Sequence, residues 1–398
     1  MKSICGECKE IINEPFRTLC DKCTKEAKEK RKGNIKTLLL YATNKCNLSC
    51  SHCFYHKDLN TEMQQLSIKQ IEQIVKETKP KGITLCGGEP MLRNDLLEIC
   101  KILDTNGVER IGIMTNGFLV NKTKKVVEEI LKNVKATVNV NMSLDGLEKT
   151  HNKIRRNKLA FKTVVETTKE LRPFLNKYPN FQTCVRTVVM KENYRELEKL
   201  SEFIDEELKI PHFFELIRGI DYSGVPEKFS NLPYNPEEMD LFLTDNIMEE
   251  LKKIFWSIFK RRGVGVKEYL RQASQYKLYI LLMDILRNKK QIVKCTAGEG
   301  AGVIYPNGDV ALCEYLKPVG NINNKSFNKI WNSKEADEQR EIMNDCYCTH
   351  GCFVSGCVFD KKIKGKLNRL KAGGMLIKNQ QKTERIADFL DEIGGGKQ

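Results

Sequence analysis

The chain has 398 residues, 40% of them hydrophobic, which excludes global disorder and allows two or three domains. No apolar run approaches the roughly 18–20 residues that a membrane span needs, and the polar start beginning Met1-Lys2-Ser3 has no secretory apolar segment. A soluble, cytoplasmic protein is expected. The net charge of +15 suits acidic partners such as nucleic acid, anionic lipid or a phosphorylated substrate, and equally a well-solvated lysine-rich surface. Sixteen cysteines are the strongest compositional signal. In a reducing compartment such clusters read as metal ligands, not disulfides.

Taken in chain order, residues 1–34 come first: a cysteine-rich module and a basic connector. Cys5-x2-Cys8 and Cys20-x2-Cys23 are separated by eleven residues, the spacing of a tetrahedral four-thiolate site. So short a module cannot build a hydrophobic core, so the metal itself would stabilise its fold. Structural zinc is the first expectation, with a mononuclear rubredoxin-like iron as the alternative.

Residues 35–219 alternate strand-like and helical runs. Strands are expected at Thr37–Thr43, Gly82–Cys86, Arg110–Thr115, Thr137–Ser143, Thr183–Met190 and His212–Ile217. Amphipathic stretches lie between them at Ser67–Thr78, Asp95–Leu103, Thr123–Leu131, Ala160–Leu171 and Tyr194–Leu208. This alternation predicts an α/β fold, a partial (β/α)6 TIM-type barrel with the chemistry in loops at the strand C-termini. Cys86, Cys100 and Cys184 sit in these apolar patterns as ordinary buried thiols.

Residues 220–293 read as a helical insertion, with Ile247, Leu251, Ile254, Phe255 and Ile258 at helical spacing. A third cysteine region occupies 294–360. It holds Cys295, Cys313, Cys346, Cys348, Cys352 and Cys357, and a hairpin at Ile304–Leu312 turning on Asn307-Gly308. Residues 361–398 form a basic tail with one amphipathic stretch, Thr383–Ile393.

Cys46-x3-Cys50-x2-Cys53 directly follows the first strand of the barrel. A [4Fe–4S] cluster normally takes four thiolates. Three leave one iron open, by the same logic that separates catalytic from structural metal sites. A closed zinc knuckle would need a fourth ligand, which His52 or His56 could supply. Gly87-Gly88-Glu89-Pro90 follows the second strand, Thr115-Asn116-Gly117 the third, and Ser143-Leu144-Asp145-Gly146 the fourth, leading to His151-Asn152-Lys153-Ile154-Arg155. With Phe54 after the third cysteine, these motifs resemble the radical S-adenosylmethionine (radical SAM) superfamily.

The resemblance implies that the open iron chelates S-adenosylmethionine and that reduction gives a 5′-deoxyadenosyl radical. It carries cofactor contacts to Gly87, Gly88, Glu89, Pro90, Thr115, Asn116, Ser143, Asp145 and Arg155. Glu89 would meet the amino group, Ser143 the ribose and Arg155 the carboxylate. Asn152 departs from the usual aspartate, and the neighbouring Arg156 leaves the arginine open by one position. His151 reads as structural.

The third cysteine region resembles the SPASM/twitch extension of such enzymes. Six cysteines are fewer than two auxiliary clusters need. One auxiliary [4Fe–4S] cluster is expected, on Cys295, Cys313, Cys348 and Cys352, with Cys346 able to replace Cys348 and Cys357 spare. A structural zinc is the alternative. An electron donor such as ferredoxin or flavodoxin is implied.

The substrate is less legible. Phe255, Trp256, Ile258 and Phe259 among Lys252, Lys253, Lys260, Arg261 and Arg262 suit either an interfacial membrane helix or an ordinary helix packed on the barrel. A lipid chain would require an apolar tunnel lined by residues 240–290. Ribosomal peptide maturation and sugar or alcohol oxidation are the alternatives, the latter needing a compact polar pocket. A nucleic-acid-binding protein using the N-terminal ribbon and basic linker would leave the cofactor motifs unexplained. Replacing Cys50 by alanine is expected to abolish 5′-deoxyadenosine formation while leaving metal in the N-terminal module; unchanged turnover would refute the ligand assignment.

Overall fold

Apolar runs with little alternation make strands buried on both faces, and such strands favour parallel sheets covered by helices. The Thr37–Thr43 strand, with six of its seven residues buried, is of this kind. The structure is a computed structural model that describes residues 35–218, 230, 243–262, 266–291, 295–343, 346–351 and 353, and the backbone of 3–4 and 11–12. Side chains of 266–270 and 274 are not included. Ser3–Ile4 (β1) pairs antiparallel with Ile11–Ile12 (β2). Cys5, Cys8, Cys20, Cys23, Cys352, Cys357 and the Thr383–Ile393 stretch lie outside the described residues.

Thr37–Thr43 (β3), Gly82–Gly87 (β4), Arg110–Thr115 (β5), Thr137–Ser143 (β6), Phe181–Val189 (β7) and His212–Leu216 (β8) pair in parallel, each with the next. They form the open, partial barrel expected, and their bounds fall within two residues of the sequence reading. Ala301–Ile304 (β9) pairs in parallel with β3 on its outer edge, and Asp309–Ala311 (β10) and Gly320–Asn321 (β11) follow antiparallel. The result is one nine-stranded sheet that runs from the barrel into the C-terminal cysteine region. This continuity is absent from the sequence reading, which treats the two regions as separate.

The connecting helices follow their apolar spacing. Ile68–Thr78 starts at Ser67, whose hydroxyl accepts from the Gln70 amide while the Gln70 side chain accepts from the Ser67 amide. This reciprocal box satisfies backbone donors that a helix start otherwise leaves open. The expected helix at Tyr194–Leu208 is instead three pieces, a 3-10 turn, Leu197–Phe203 and a wider π turn at Ile204–Leu208. Glu148–Arg155 is a further helix, and its last turn reaches the site.

Asp245–Arg262 and Val266–Asn288 are helices, as the insertion suggested. Ile247, Leu251, Phe255, Ile258 and Phe259 are buried. Phe255 lies 5.1 Å from Phe214 of β8 and 4.9 Å from Tyr279, ring centre to ring centre. Phe255 therefore packs on the sheet, while Trp256 stays half-buried. No helix among the described residues is long and apolar enough to cross a membrane. Phe255→Ala should cost about 3–5 kcal/mol of stability by opening a cavity here. An unfolding free energy within about 1 kcal/mol of the parent's would show that this face carries little of the packing.

Candidate functional site

Because the strands are parallel, their C-terminal ends share one edge of the sheet, and the loops leaving them converge. The loop after β3 carries Cys46, Cys50 and Cys53. Two asparagines lace it. Buried Asn44 donates through Nδ2 to the Asp58 and Thr61 carbonyls, both at 2.9 Å. Asn60, at φ +60°, accepts from the Cys46 amide at 3.0 Å and donates to its carbonyl at 3.1 Å. The sequence reading missed both, although Asn is among the few residues that tolerate this backbone conformation. Ser51 N–H donates to the Ile154 carbonyl at 2.9 Å, fixing the loop to the Glu148–Arg155 helix.

The second loop lies directly against the first. Gly88 N–H donates to the Thr43 carbonyl at 2.7 Å, and Glu89 N–H to the Lys45 carbonyl at 2.8 Å. A Cβ on Gly87 would lie 2.3 Å from the Thr43 oxygen, and one on Gly88 only 2.1 Å from the Lys45 oxygen. The glycine pair is thus required by loop-on-loop contact as well as by any ligand. Pro90 begins the short 3-10 turn that follows and is buried. The Glu89 carboxylate accepts from the Thr115 hydroxyl and the Asn116 amide, both at 2.8 Å, and from the Met91 amide at 3.0 Å. Burial raises its pKa, and these three donors counteract the rise. Asn116 donates through Nδ2 to the Asn47 side-chain oxygen at 2.9 Å, joining the third loop to the cysteine loop.

From β6 come Ser143, in the cavity wall, and Asp145, fully buried. Asp145 Oδ2 pairs with Arg155 Nη2 at 2.5 Å, and Asp145 Oδ1 accepts from the Val188 amide at 2.9 Å. Burial alone would raise this carboxyl, but Arg155, then His52 and His151, hold it below the usual range. His151 Nδ1 accepts from the Asp145 amide at 3.0 Å, and burial lowers its pKa to about 3. It is a neutral structural group. Arg155 rather than Arg156 faces the cavity; Arg156 caps the helix in a left-handed conformation and is exposed. Arg155 Nη1 donates to Cys50 Sγ at 3.5 Å.

These loops enclose a cavity of about 230 Å³. Burial pushes the Cys46 thiol up to about 11 and Cys53 up to about 12. The thiols therefore need a strong cation to ionise. His56 Nδ1 faces the Cys53 carbonyl at 2.9 Å, while His52 Nε2 lies 3.8 Å from Asp145. Two buried donors in these loops, Asn47 Nδ2 and Arg155 Nε, have no hydrogen-bond partner among the described residues. Three thiols, unmet donors and a backbone cradle fit an iron–sulfur cluster with one open iron and a small polar ligand beside it.

The opposite wall comes from residues the sequence reading did not single out. Arg218, just after β8, pairs with Glu314 at 2.6 Å and stands 4.3 Å over the Phe54 ring. Glu314 also accepts from the Tyr41 hydroxyl and pairs with His350. Burial would raise Glu314, but Arg218 and His350 hold it well below the carboxylate range. Cys86 also lines the cavity, where an ordinary buried thiol was expected; Cys100 and Cys184 are buried as anticipated.

Glu314 follows Cys313 in the second cysteine group. Burial raises the Cys313 thiol, and Cys348, Cys295 and Cys346 raise it further in that order. Burial pushes Cys348 up to about 12, with Cys346 adding to it. Gly88→Ala should force the first two loops apart and remove about four irons per chain from the Cys46–Cys53 loop. Iron content equal to the parent's would show that the contact is dispensable.

Residues 40–204 match the Radical SAM superfamily, and residues 295–353 match SPASM, an iron–sulfur cluster-binding domain. The Fe-coproporphyrin III synthase of Methanosarcina barkeri is 26% identical over 306 residues, covering 73% of this chain and 71% of that protein. The cysteine-type anaerobic sulfatase-maturating enzyme of Clostridium novyi is 25% identical over 327 residues, covering 75% and 80%. Among solved structures, SuiB of Streptococcus suis bound to S-adenosylmethionine superposes with a TM-score of 0.55 at 18% identity, covering 81% of this chain and 72% of SuiB. That likeness extends to the fold. The chain belongs to the radical SAM superfamily, as an iron–sulfur enzyme with a C-terminal SPASM domain.

Proposed function

We propose that this enzyme takes a hydrogen atom from a polar substrate seated between the Cys46–Cys53 loop and the Arg218–Glu314 pair. On this reading Cys46, Cys50 and Cys53 hold the cofactor-binding cluster, and Cys295, Cys313, Cys348 (or Cys346 in its place) and Cys352 an auxiliary one. Bound there, the clusters would supply an electron to cleave S-adenosylmethionine and an acceptor for the electron left on an oxidised substrate. The chain's own groups do the rest. Arg155 and Asn47 offer donors to the cofactor's carboxylate end, Ser143 reaches its ribose, and the backbone around Gly88 and Glu89 accepts from its ammonium.

The observation that carries the substrate class is the wall made by Arg218, Glu314 and Tyr41. A carboxylate and a guanidinium in the cavity wall make that wall polar, and polar groups so placed favour a substrate with polar groups of its own over an apolar chain. Within the stretch a lipid tunnel would have required, residues 240–290, Phe255 and Tyr279 pack against Phe214 of β8. Polar side chains of a peptide, and small alcohols, both satisfy this wall. The Clostridium novyi relative, a sulfatase-maturating enzyme by name, favours the peptide. For the N-terminal thiols Cys5, Cys8, Cys20 and Cys23 we propose structural zinc, and for electron supply a ferredoxin or flavodoxin.

The test is transfer of deuterium into 5′-deoxyadenosine, read by mass spectrometry, from deuterated peptides, polyols and isoprenoid lipids offered to the reduced enzyme. Label arriving from a peptide or polyol is expected, and label arriving only from lipid would overturn the reading. Arg218→Met should lower transfer roughly tenfold or more, the equivalent of one charge-assisted hydrogen bond of about 1.5–3 kcal/mol.

A further inference from the structure

Arg155 holds two groups at once. Its Nη2 pairs with Asp145 at 2.5 Å and its Nη1 donates to Cys50 Sγ at 3.5 Å, while Nε has no partner among the described residues. The resemblance accounts for the last of these, a donor left for a ligand. It gives no reason for a guanidinium aimed at a cysteine sulfur. We propose that Arg155, held by Asp145, donates a charge-assisted hydrogen bond to the Cys50 thiolate of the bound cluster and so raises its reduction potential before any cofactor arrives. The inference rests on the proposal that Cys46, Cys50 and Cys53 hold that cluster.

The arrangement is built to stay in place. Asp145 is fixed on every side: its Oδ1 by the Val188 amide, its own amide by His151 at 3.0 Å, and its carbonyl by Asn193 Nδ2 at 2.7 Å. Arg155 is 8% exposed and sits in the last turn of a helix tied to the cysteine loop through Ser51 and Ile154. A buried cation so held does not reorient when the charge beside it changes. Uptake of one electron by a [4Fe–4S] cluster, from the 2+ to the 1+ state, breaks no bond and moves no proton; it adds one negative charge. A hydrogen bond to a ligating sulfur and a cation close to it both stabilise that added charge, more strongly at low dielectric. Asp145 works in the opposite sense. As the positioning residue it aims the guanidinium, and its own negative charge offsets part of the cation's field.

Two variants should therefore shift the potential in opposite directions. Arg155→Met keeps the length of the side chain and removes both charge and donor. Asp145→Asn keeps the shape and leaves the cation less compensated. The measurement is a potentiometric titration with dithionite of the full, anaerobically reconstituted chain without S-adenosylmethionine, followed by electron paramagnetic resonance. The signal missing from Cys50→Ala identifies the cluster. At the parent's midpoint, the reduced-to-oxidised ratio should fall roughly tenfold in Arg155→Met, equivalent to 59 mV for a one-electron couple, and should rise in Asp145→Asn. Shifts of the same sign in both variants, or no shift in either, would overturn the proposal. If Arg155→Met carries no cluster in this loop, Asp145→Asn decides alone, and an unchanged or lowered midpoint rejects the idea. Absence of a cluster from the parent's loop would instead sink the underlying metal assignment.

Discussion

A thiol buried at the end of a sheet is a poor anion, and the site depends on how that constraint is met. Burial drives Cys46 and Cys53 far above the pH at which a free cysteine ionises. A highly charged metal centre brought into the loop would reverse this. The surrounding chain is arranged to receive one. Asn44 and Asn60 fix the loop's path, Gly87 and Gly88 let the neighbouring loop press against it, and Arg155 places a cation beside Cys50. Gly88, Asn116 and Arg155 tie the segments after β4, β5 and β6 to the cysteine loop after β3, so the parallel sheet gathers them into one cradle. The fold is thus necessary for the chemistry without naming the substrate.

Much of this was legible in the sequence, for identifiable reasons. Strands such as Thr37–Thr43 and Thr137–Ser143 are short, β-branched or apolar, and bounded by helices of different periodicity, so their limits were readable to within two residues. The cofactor motifs were readable because each falls just after a strand. What escaped notice was non-local. The pairing of Ala301–Ile304 with β3 leaves no local trace, since the two segments are far apart in the chain. Arg218, Glu314 and His350 come together only once that pairing is made, from positions far apart in the chain. Phe255 and its neighbours were ambiguous because a membrane surface and a β-sheet select the same apolar stripe; the structure places Phe255 against Phe214.

The β3–β9 pairing also explains how the C-terminal region comes to line the cavity, through Glu314. Tyr41, on β3, touches Tyr55 from the first cysteine loop at 4.8 Å and Tyr305 from the C-terminal hairpin at 4.9 Å, ring centre to ring centre. Its hydroxyl donates to Glu314, the residue after Cys313. A single strand residue therefore contacts both halves, and the Leu66 amide adds a 2.8 Å bond to the Pro306 carbonyl. The SPASM region supplies part of the cavity wall directly, in addition to its own thiols. A cluster there would be joined by a short covalent and hydrogen-bonded route to the place where the substrate radical would form.

The central claim is that the Cys46–Cys53 loop leaves one iron for the cofactor. Electron–nuclear double resonance on the reduced enzyme, with S-adenosylmethionine labelled at its amino nitrogen and carboxylate oxygen, tests it most directly. The account predicts hyperfine coupling from both labels to one iron of this cluster. Absence of coupling from either label, in enzyme that carries the cluster and has bound the cofactor, would contradict it.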